Sequence, residues 1–219
     1  MLSGKAIIEA VEQQQRYLQM SEADRYRIKI QLDGQSEAEQ PRIVIEPFNA
    51  GQVNPNSYNL RLSDKLLVYA NDELDMAVDN PTEEIQIPPE GLVLEPGRLY
   101  LGSTVEYTET YNLVPLLEGR SSVARLGLSV HLTAGVGESN FKGTWTTEMT
   151  VVHPLRVYAG VELCQILYSP LIGESIGYDG KYQGQTGPRS SKLWQEFVHG
   201  EEISGAVLDS SKVLDADFS

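Results

Sequence analysis

The chain has a single cysteine, Cys164, and three histidines, His131, His153 and His199, among 219 residues. One thiol excludes an internal disulfide framework, and its apolar setting in VELCQIL predicts a buried core residue rather than a reactive one. The same scarcity removes a zinc-deaminase site, because P-C-x-x-C cannot be built from one cysteine and the histidines lie far apart without ligand spacing. His131 and His153 are expected to be strand residues satisfied by their neighbours. No apolar run is long enough to cross a bilayer and no charged-then-apolar leader is present, so a cytoplasmic protein without a membrane role is the expectation. Basic residues are in deficit, with 17 Lys and Arg against 31 Asp and Glu and a formal net charge of −14. Nucleic-acid binding needs a broad cationic face, so that class is set aside. A small polyanionic ligand would need locally concentrated positive charge or a divalent cation as its companion. Much of the acidity sits in residues 35–40, in 71–75 and after Gly200, which read as solvated loops.

At 41% hydrophobic residues the chain can bury one sizeable core without a second domain. Residues 3–20 place Ile7, Ile8, Val11 and Leu18 at helical spacing after a serine, predicting an N-terminal amphipathic helix. The period then changes to two. RIKIQL (27–32) alternates, Asp33-Gly34 follows, and RIVIEPF resumes the pattern, which predicts a hairpin or two edge strands. From 57 to 170 many short runs rich in Val, Leu, Tyr and Thr alternate with turns such as Pro88-Pro89-Glu90-Gly91 and Glu95-Pro96-Gly97. That is the pattern of an all-β sandwich or barrel. Residues 121–126 are the exception, compatible with one or two helical turns. Residues 175–219, rich in Gly and Ser, read as a mobile arm. A domain over 1–192 with an acidic extension over 193–219 is the expected organisation.

The most informative segment is EGRSSVARLG (118–127), followed by HLTAGVGESNFKG (131–143) and by Glu148 in TTEMTVV. Arg120 and Arg125 flank Ser121 and Ser122 within six residues, and small neighbours leave backbone amides approachable. Phosphate is bound by that set of bidentate donors, hydroxyls and bare amides, although Arg and Ser beside Gly also describe an ordinary solvated turn. Glu148, read alone, is an outward-facing strand residue in an alternating run. The string KYQGQ (181–185) supplies Lys181, Tyr182 and Gln185 between the hinges Gly180, Gly184 and Gly187, which suits a lid or merely a polar tail.

These pieces occur in order with IVIEPF (43–48), NPNSYNLRL (54–62), VYAGVELCQI (157–166) and YDGKYQGQTGP (178–188). Together they resemble the dCTP deaminase branch of the trimeric dUTPase-like superfamily over most of the chain. Residues 14–41 are partly inserted relative to the usual deaminase pattern. The resemblance implies a mainly β, distorted jelly-roll or barrel with an N-terminal helix, assembled as a homotrimer with sites between subunits. It also implies zinc-independent hydrolytic deamination of dCTP to dUTP and ammonia, with Mg²⁺ carried on the substrate triphosphate and no metal held by the protein itself.

Its residue assignments fall as follows. Glu148 matches the catalytic glutamate. Removing the 4-amino group of cytosine needs a group that accepts a proton from water and returns protons to the ring and to ammonia, and a partly desolvated carboxylate does this. Ser121 and Arg125 match residues that hold the attacking water and organise its network, and Arg120 and Ser122 fall to phosphate. Leu132, Thr133 and Ala134 match a strand end whose backbone reads the pyrimidine edge. Glu138 and Phe141 match the dUTPase water-activating acid and the ring beneath the deoxyribose. Lys181 and Gln185 are implied triphosphate contacts, and Tyr178 or Tyr182 is the implied cover for the nucleotide.

Some positions depart from the pattern. Glu138 stands where aspartate is usual, one methylene longer, and Phe141 where tyrosine or tryptophan is usual. Gly135 and Val136 replace the His-Arg pair of monofunctional bacterial deaminases, an arrangement closer to dUTPases and to bifunctional deaminases that carry dCTP to dUMP and pyrophosphate. Deamination to dUTP ranks first here, with the bifunctional reaction or a dUTPase as the alternative. A catalytically silent nucleotide-fold binding protein is the reading from another class. The ligands implied are dCTP and dUTP, and dTTP inhibition is a question the sequence leaves open.

Overall fold

A computed structural model of the chain describes residues 1–19, 21, 42–173 and 176–198. The first element is the helix α1 (Gly4–Gln19), close to the span expected from its period. Ser3 starts it, its Oγ accepting the Ala6 N–H at 3.2 Å. Ile7 and Val11 bury completely on the face that packs against the first strand.

Among the described residues thirteen short strands follow, and every pairing between these strands is antiparallel. One sheet sets β1 (Arg42–Glu46) and β10 (Lys142–Gly143) on either side of β7 (Tyr107–Tyr111). A second orders β2 (Tyr58–Arg61), β13 (Glu162–Pro170) and β8 (Leu113–Gly119). The largest runs β4 (Thr82–Gln86), β3 (Lys65–Tyr69), β6 (Tyr100–Ser103), β11 (Thr146–Val151) and β9 (Leu128–Ser129). A ribbon of β5 (Leu92–Leu94) and β12 (Leu155–Val157) completes the set. Alternation decides which residues enter the core: Ile43 and Ile45 of β1, Leu66 and Val68 of β3, and Met149 of β11 are all buried, with Tyr58, Leu60 and Ile166 joining them in one cluster. The result is the expected mainly β fold with an N-terminal helix. The turns foreseen at Gly91 and Gly97 are present, with φ of +84° and +78° that glycine adopts without strain.

Some expectations are corrected. His131 and His153 lie in loops, not strands, and the imidazole Nδ1 of His131 is buried without a hydrogen-bond partner. The segment 131–135 is a loop too, anchored by the Leu117 N–H donating to Gly135 O at 2.7 Å. A glycine is needed there because a Cβ at Gly135 would stand 2.8 Å from that Leu117 carbonyl oxygen. The part of the arm over 176–198 is laid down on the sheets by defined hydrogen bonds. RIKIQL, residues 22–41 of the inserted stretch and the acidic segment from 199 onward fall outside the described residues, and so does His199. Cys164 is the buried thiol expected, and burial pushes its pKa up to about 12.

Candidate active site

The position of Glu148 follows from the pairing of β11. Thr147 and Met149 point into the core, so Thr146, Glu148 and Thr150 take the opposite face. Glu148 pairs with Leu101 of β6, and its neighbour Thr147 pairs with Gly102. A Cβ at Gly102 would stand 2.8 Å from Thr147 Oγ1, so the bare glycine lets β6 and β11 close beneath the carboxylate.

Above this face is a cavity of about 480 Å³. Glu148 and Thr146 line it with Leu99 and Leu101. Phe141, Trp145, Tyr178 and Tyr182 make an aromatic wall. Phe141 packs on Trp145 with ring centroids 4.7 Å apart and on Tyr178 at 6.2 Å. The Trp145 indole is oriented by donating to Thr108 Oγ1 at 2.9 Å. Gly137 accommodates it, since a Cβ there would meet the Trp145 ring at 2.3 Å. Ala134, Val136 and Glu138 bring the loop to the same space.

Burial raises the Glu148 carboxyl above its ordinary range, opposed in part by a hydrogen bond from the Leu132 backbone N–H and by the nearby His131 imidazole. A carboxyl raised in this way is suited to accept a proton from a bound water and to return it. It is a half-buried acid in a cavity of mixed lining, with an aromatic stack alongside wide enough for a flat ring or a sugar.

The arm closes one side. Gln183 Nε2 donates to Asn140 O and Tyr178 O, the Lys142 N–H donates to Gln183 Oε1, and Gln185 Nε2 donates to Thr144 O at 2.8 Å. The Arg189 N–H then donates to Thr146 Oγ1 at 3.2 Å, two residues along β11 from Glu148. Beyond it the Ser191 N–H donates to Tyr69 Oη and the Lys192 N–H to Tyr182 Oη.

Seven of the residues singled out from sequence therefore share one cavity: Glu148, Ala134, Glu138, Phe141, Tyr178, Tyr182 and Gln185. Seven do not line it within this chain, among them Leu132, exposed in its loop. Ser121, Ser122 and Arg125 are exposed on or beside the short helix Ser121–Ala124, and Thr133 is exposed in its loop. Arg120 is held by Glu162, donating from Nη1 to its backbone oxygen at 2.7 Å, with Nη2 3.2 Å from Oε2. Lys181 pairs with the Glu196 carboxylate.

Sequence reasoning missed Tyr69, Leu99, Leu101, Trp145, Thr146 and the Arg189–Ser190–Ser191 stretch as cavity residues. Trp145, four residues after Phe141, was a signal available in the sequence. Leu99 and Leu101 carried none, because only the β6–β11 register puts them beside Glu148.

Residues 31–171 match the dCTP deaminase-like family. A Leptospira biflexa serovar Patoc protein named dCTP deaminase, dUMP-forming, is 57% identical over 156 residues, 71% of this chain and 90% of that protein. A protein of the same name from Cytophaga hutchinsonii is 56% identical over 71% of this chain and 90% of its own length. Among solved structures, the 2'-deoxycytidine 5'-triphosphate deaminase from Agrobacterium tumefaciens is similar at a TM-score of 0.48 and 20% identity, covering 67% of this chain and 47% of that one.

Proposed function

The chain belongs to the dCTP deaminase-like family, and from that premise we propose that it is an enzyme converting dCTP first to dUTP and ammonia and then to dUMP and pyrophosphate. The observation that carries the deamination step is Glu148, half-buried at the base of the cavity with its carboxyl raised by desolvation. The names of the relatives support the second step, moving the preference from the dUTP-releasing reaction to the dUMP-forming one. Gly135 and Val136, small and uncharged, fit that choice.

In the first reaction Glu148 takes a proton from water as the oxygen attacks C4 of cytosine. It returns protons to N3 and to the departing amine, so one water enters and one ammonia leaves. Ser121 and Arg125 hold that water, and the backbone around Ala134 reads the base. Phe141, backed by Trp145, lies under the deoxyribose, where a 2'-hydroxyl would crowd the ring. In the second reaction Glu138 orients a water toward the α-phosphorus, and pyrophosphate leaves. Mg²⁺ bound to the substrate triphosphate would supply screening of its charge, and the carboxylate oxygens of Glu138 would suit the hydrated shell of such a hard cation. No zinc takes part in this reading. The exposure of Ser121, Ser122 and Arg125 away from the cavity supports a site completed by a second copy in a cyclic trimer.

The test is to incubate the protein with dCTP and Mg²⁺ and resolve ammonia, dUTP, dUMP and pyrophosphate over time, with dUTP alone in parallel. Ammonia with equimolar dUMP and pyrophosphate is expected. Ammonia with accumulating dUTP would restrict the enzyme to deamination. Cleavage of dUTP without ammonia would make Glu148 a structural residue, and no binding of either nucleotide would favour a silent scaffold.

A further inference from the structure

The NPNSYNLRL segment holds no group assigned to the reaction, yet its side chains form a continuous polar network ending at the turn that carries Arg120. Two routes run through the central strand β13. In the first, Ser57 Oγ donates to Gln165 Oε1 at 2.6 Å, and Gln165 Nε2 donates to Gly119 O at 3.0 Å. In the second, Asn54 Nδ2 donates to Asn59 Oδ1 at 2.7 Å, and Asn59 Nδ2 donates to Glu162 Oε2 at 2.7 Å. The same Glu162 carboxylate and its backbone oxygen then hold the Arg120 guanidinium.

Behind these lies a charge pair whose carboxylate is buried. Glu106, fully buried, accepts from the Arg61 N–H at 2.8 Å, from Arg61 Nε at 2.6 Å and from Gln52 Nε2 at 3.0 Å. Gln52 Nε2 also donates to Asn59 O at 2.8 Å. The register of β13 shifts between Glu162 and Cys164, an irregularity of the kind that re-aims a side chain.

A network serving stability alone has no need to end on a partly exposed arginine. Guanidinium has five N–H donors; Nη1 donates one to the Glu162 backbone oxygen, and Nη2 is paired by charge with the Glu162 carboxylate 3.2 Å away. The hold on one edge fixes the plane of the group and leaves Nε–H and one hydrogen on each Nη for an anion. Ordering the side chain in advance removes that cost from binding.

We infer that Glu162 is a positioning residue for polyphosphate recognition, acting through Arg120, with Asn59 and Gln165 holding the same turn from behind. This rests on the proposed nucleotide reading for the identity of the anion. The charge of Glu162 partly offsets that of Arg120, so the device favours orientation over raw attraction.

The test is a double-mutant cycle on the full chain with E162A, R120A and the pair, with E162Q as the conservative variant. E162A should raise KM for dCTP about tenfold while kcat stays within about twofold. E162Q, whose amide oxygen still accepts from Arg120, should recover most of that loss. In the R120A background E162A should add nothing. An unchanged KM in E162A, an equal loss with and without Arg120, or a fall in kcat and melting temperature that E162Q does not rescue would each overturn the inference. If the wild-type protein turns over no dCTP, the functional reading fails by itself. The same cycle is then read by calorimetry as affinity for inorganic tripolyphosphate, where coupling between Arg120 and Glu162 sustains the inference and independence overturns it.

Discussion

The cavity around Glu148 is assembled within one chain from side chains that range from buried Phe141 and Trp145 to exposed Glu138, whereas Ser121, Ser122 and Arg125 stand exposed outside its lining. Along that strand the arm meets Thr146, while β9, which directly follows the Ser121–Ala124 helix, pairs with Thr150 and Val151. Glu148 lies between the two. The cavity needs burial, because desolvation is what raises its carboxyl. Groups that bind phosphate and water need reach and hydration until the ligand arrives. One chain cannot easily meet both needs at one point, and placing them on separate faces resolves the conflict if a second copy brings them together.

The largest effect expected concerns the cavity alone. Glu148→Gln keeps the shape but removes the proton acceptor, and ammonia release from dCTP should fall by about 10²- to 10⁴-fold while dCTP still binds. Turnover at the wild-type rate would remove Glu148 from the mechanism.

Joining the two regions across copies gives the next test. Glu148→Gln and Arg125→Ala should each be inactive alone, yet co-refolded in equal amounts they should recover about a quarter of wild-type activity, since half the copies supply each intact face. Recovery of nothing would place both faces of the site in the same copy.

A smaller change is expected at Lys181, the cation that pairs with Glu196 in this structure. Glu196→Gln should free it for phosphate and lower KM for dCTP by no more than about fivefold, because an exposed pair contributes little. A raised KM would show instead that Glu196 supports the arm.

The smallest effect is on stability. The folded-state pKa of Glu148 is raised, so its protonated form stabilises the fold below the unfolded value, about 4.3, and this contribution is lost as pH rises through the folded value. Glu148→Gln should therefore melt higher than wild type at pH 7, with the gap closing as pH falls toward 4. A gap that persists at low pH would mean that desolvation is not its source.

Much of this was legible from local pattern. Ser3 with Ile7 and Val11 announced α1, and TTEMTVV announced β11 with Glu148 on the face opposite Thr147 and Met149. The chemistry of EGRSSVARLG was readable from its donors, and the order of motifs pointed to the family. The loop at 131–135 was mistaken for a strand end because its apolar and Thr content suits either, and only the pairing with β11, which ends β9 at Ser129, shows which it is. Leu99, Leu101 and Arg189 were missed for a related reason. Their roles depend on partners 40 or more positions away in the sequence, and no local period records such pairings.

Residue chemistry by itself determined the available reactions: one cysteine left no thiolate cluster, and an isolated glutamate in an apolar run left a carboxylate as the proton carrier. The period of two determined that Glu148 and Met149 face opposite ways. Only the tertiary structure decided which of those faces is the cavity, because burial depends on what packs above a strand. It likewise decided that Arg120 is held by Glu162, 42 residues along the chain, since β13 lies against both β2 and β8.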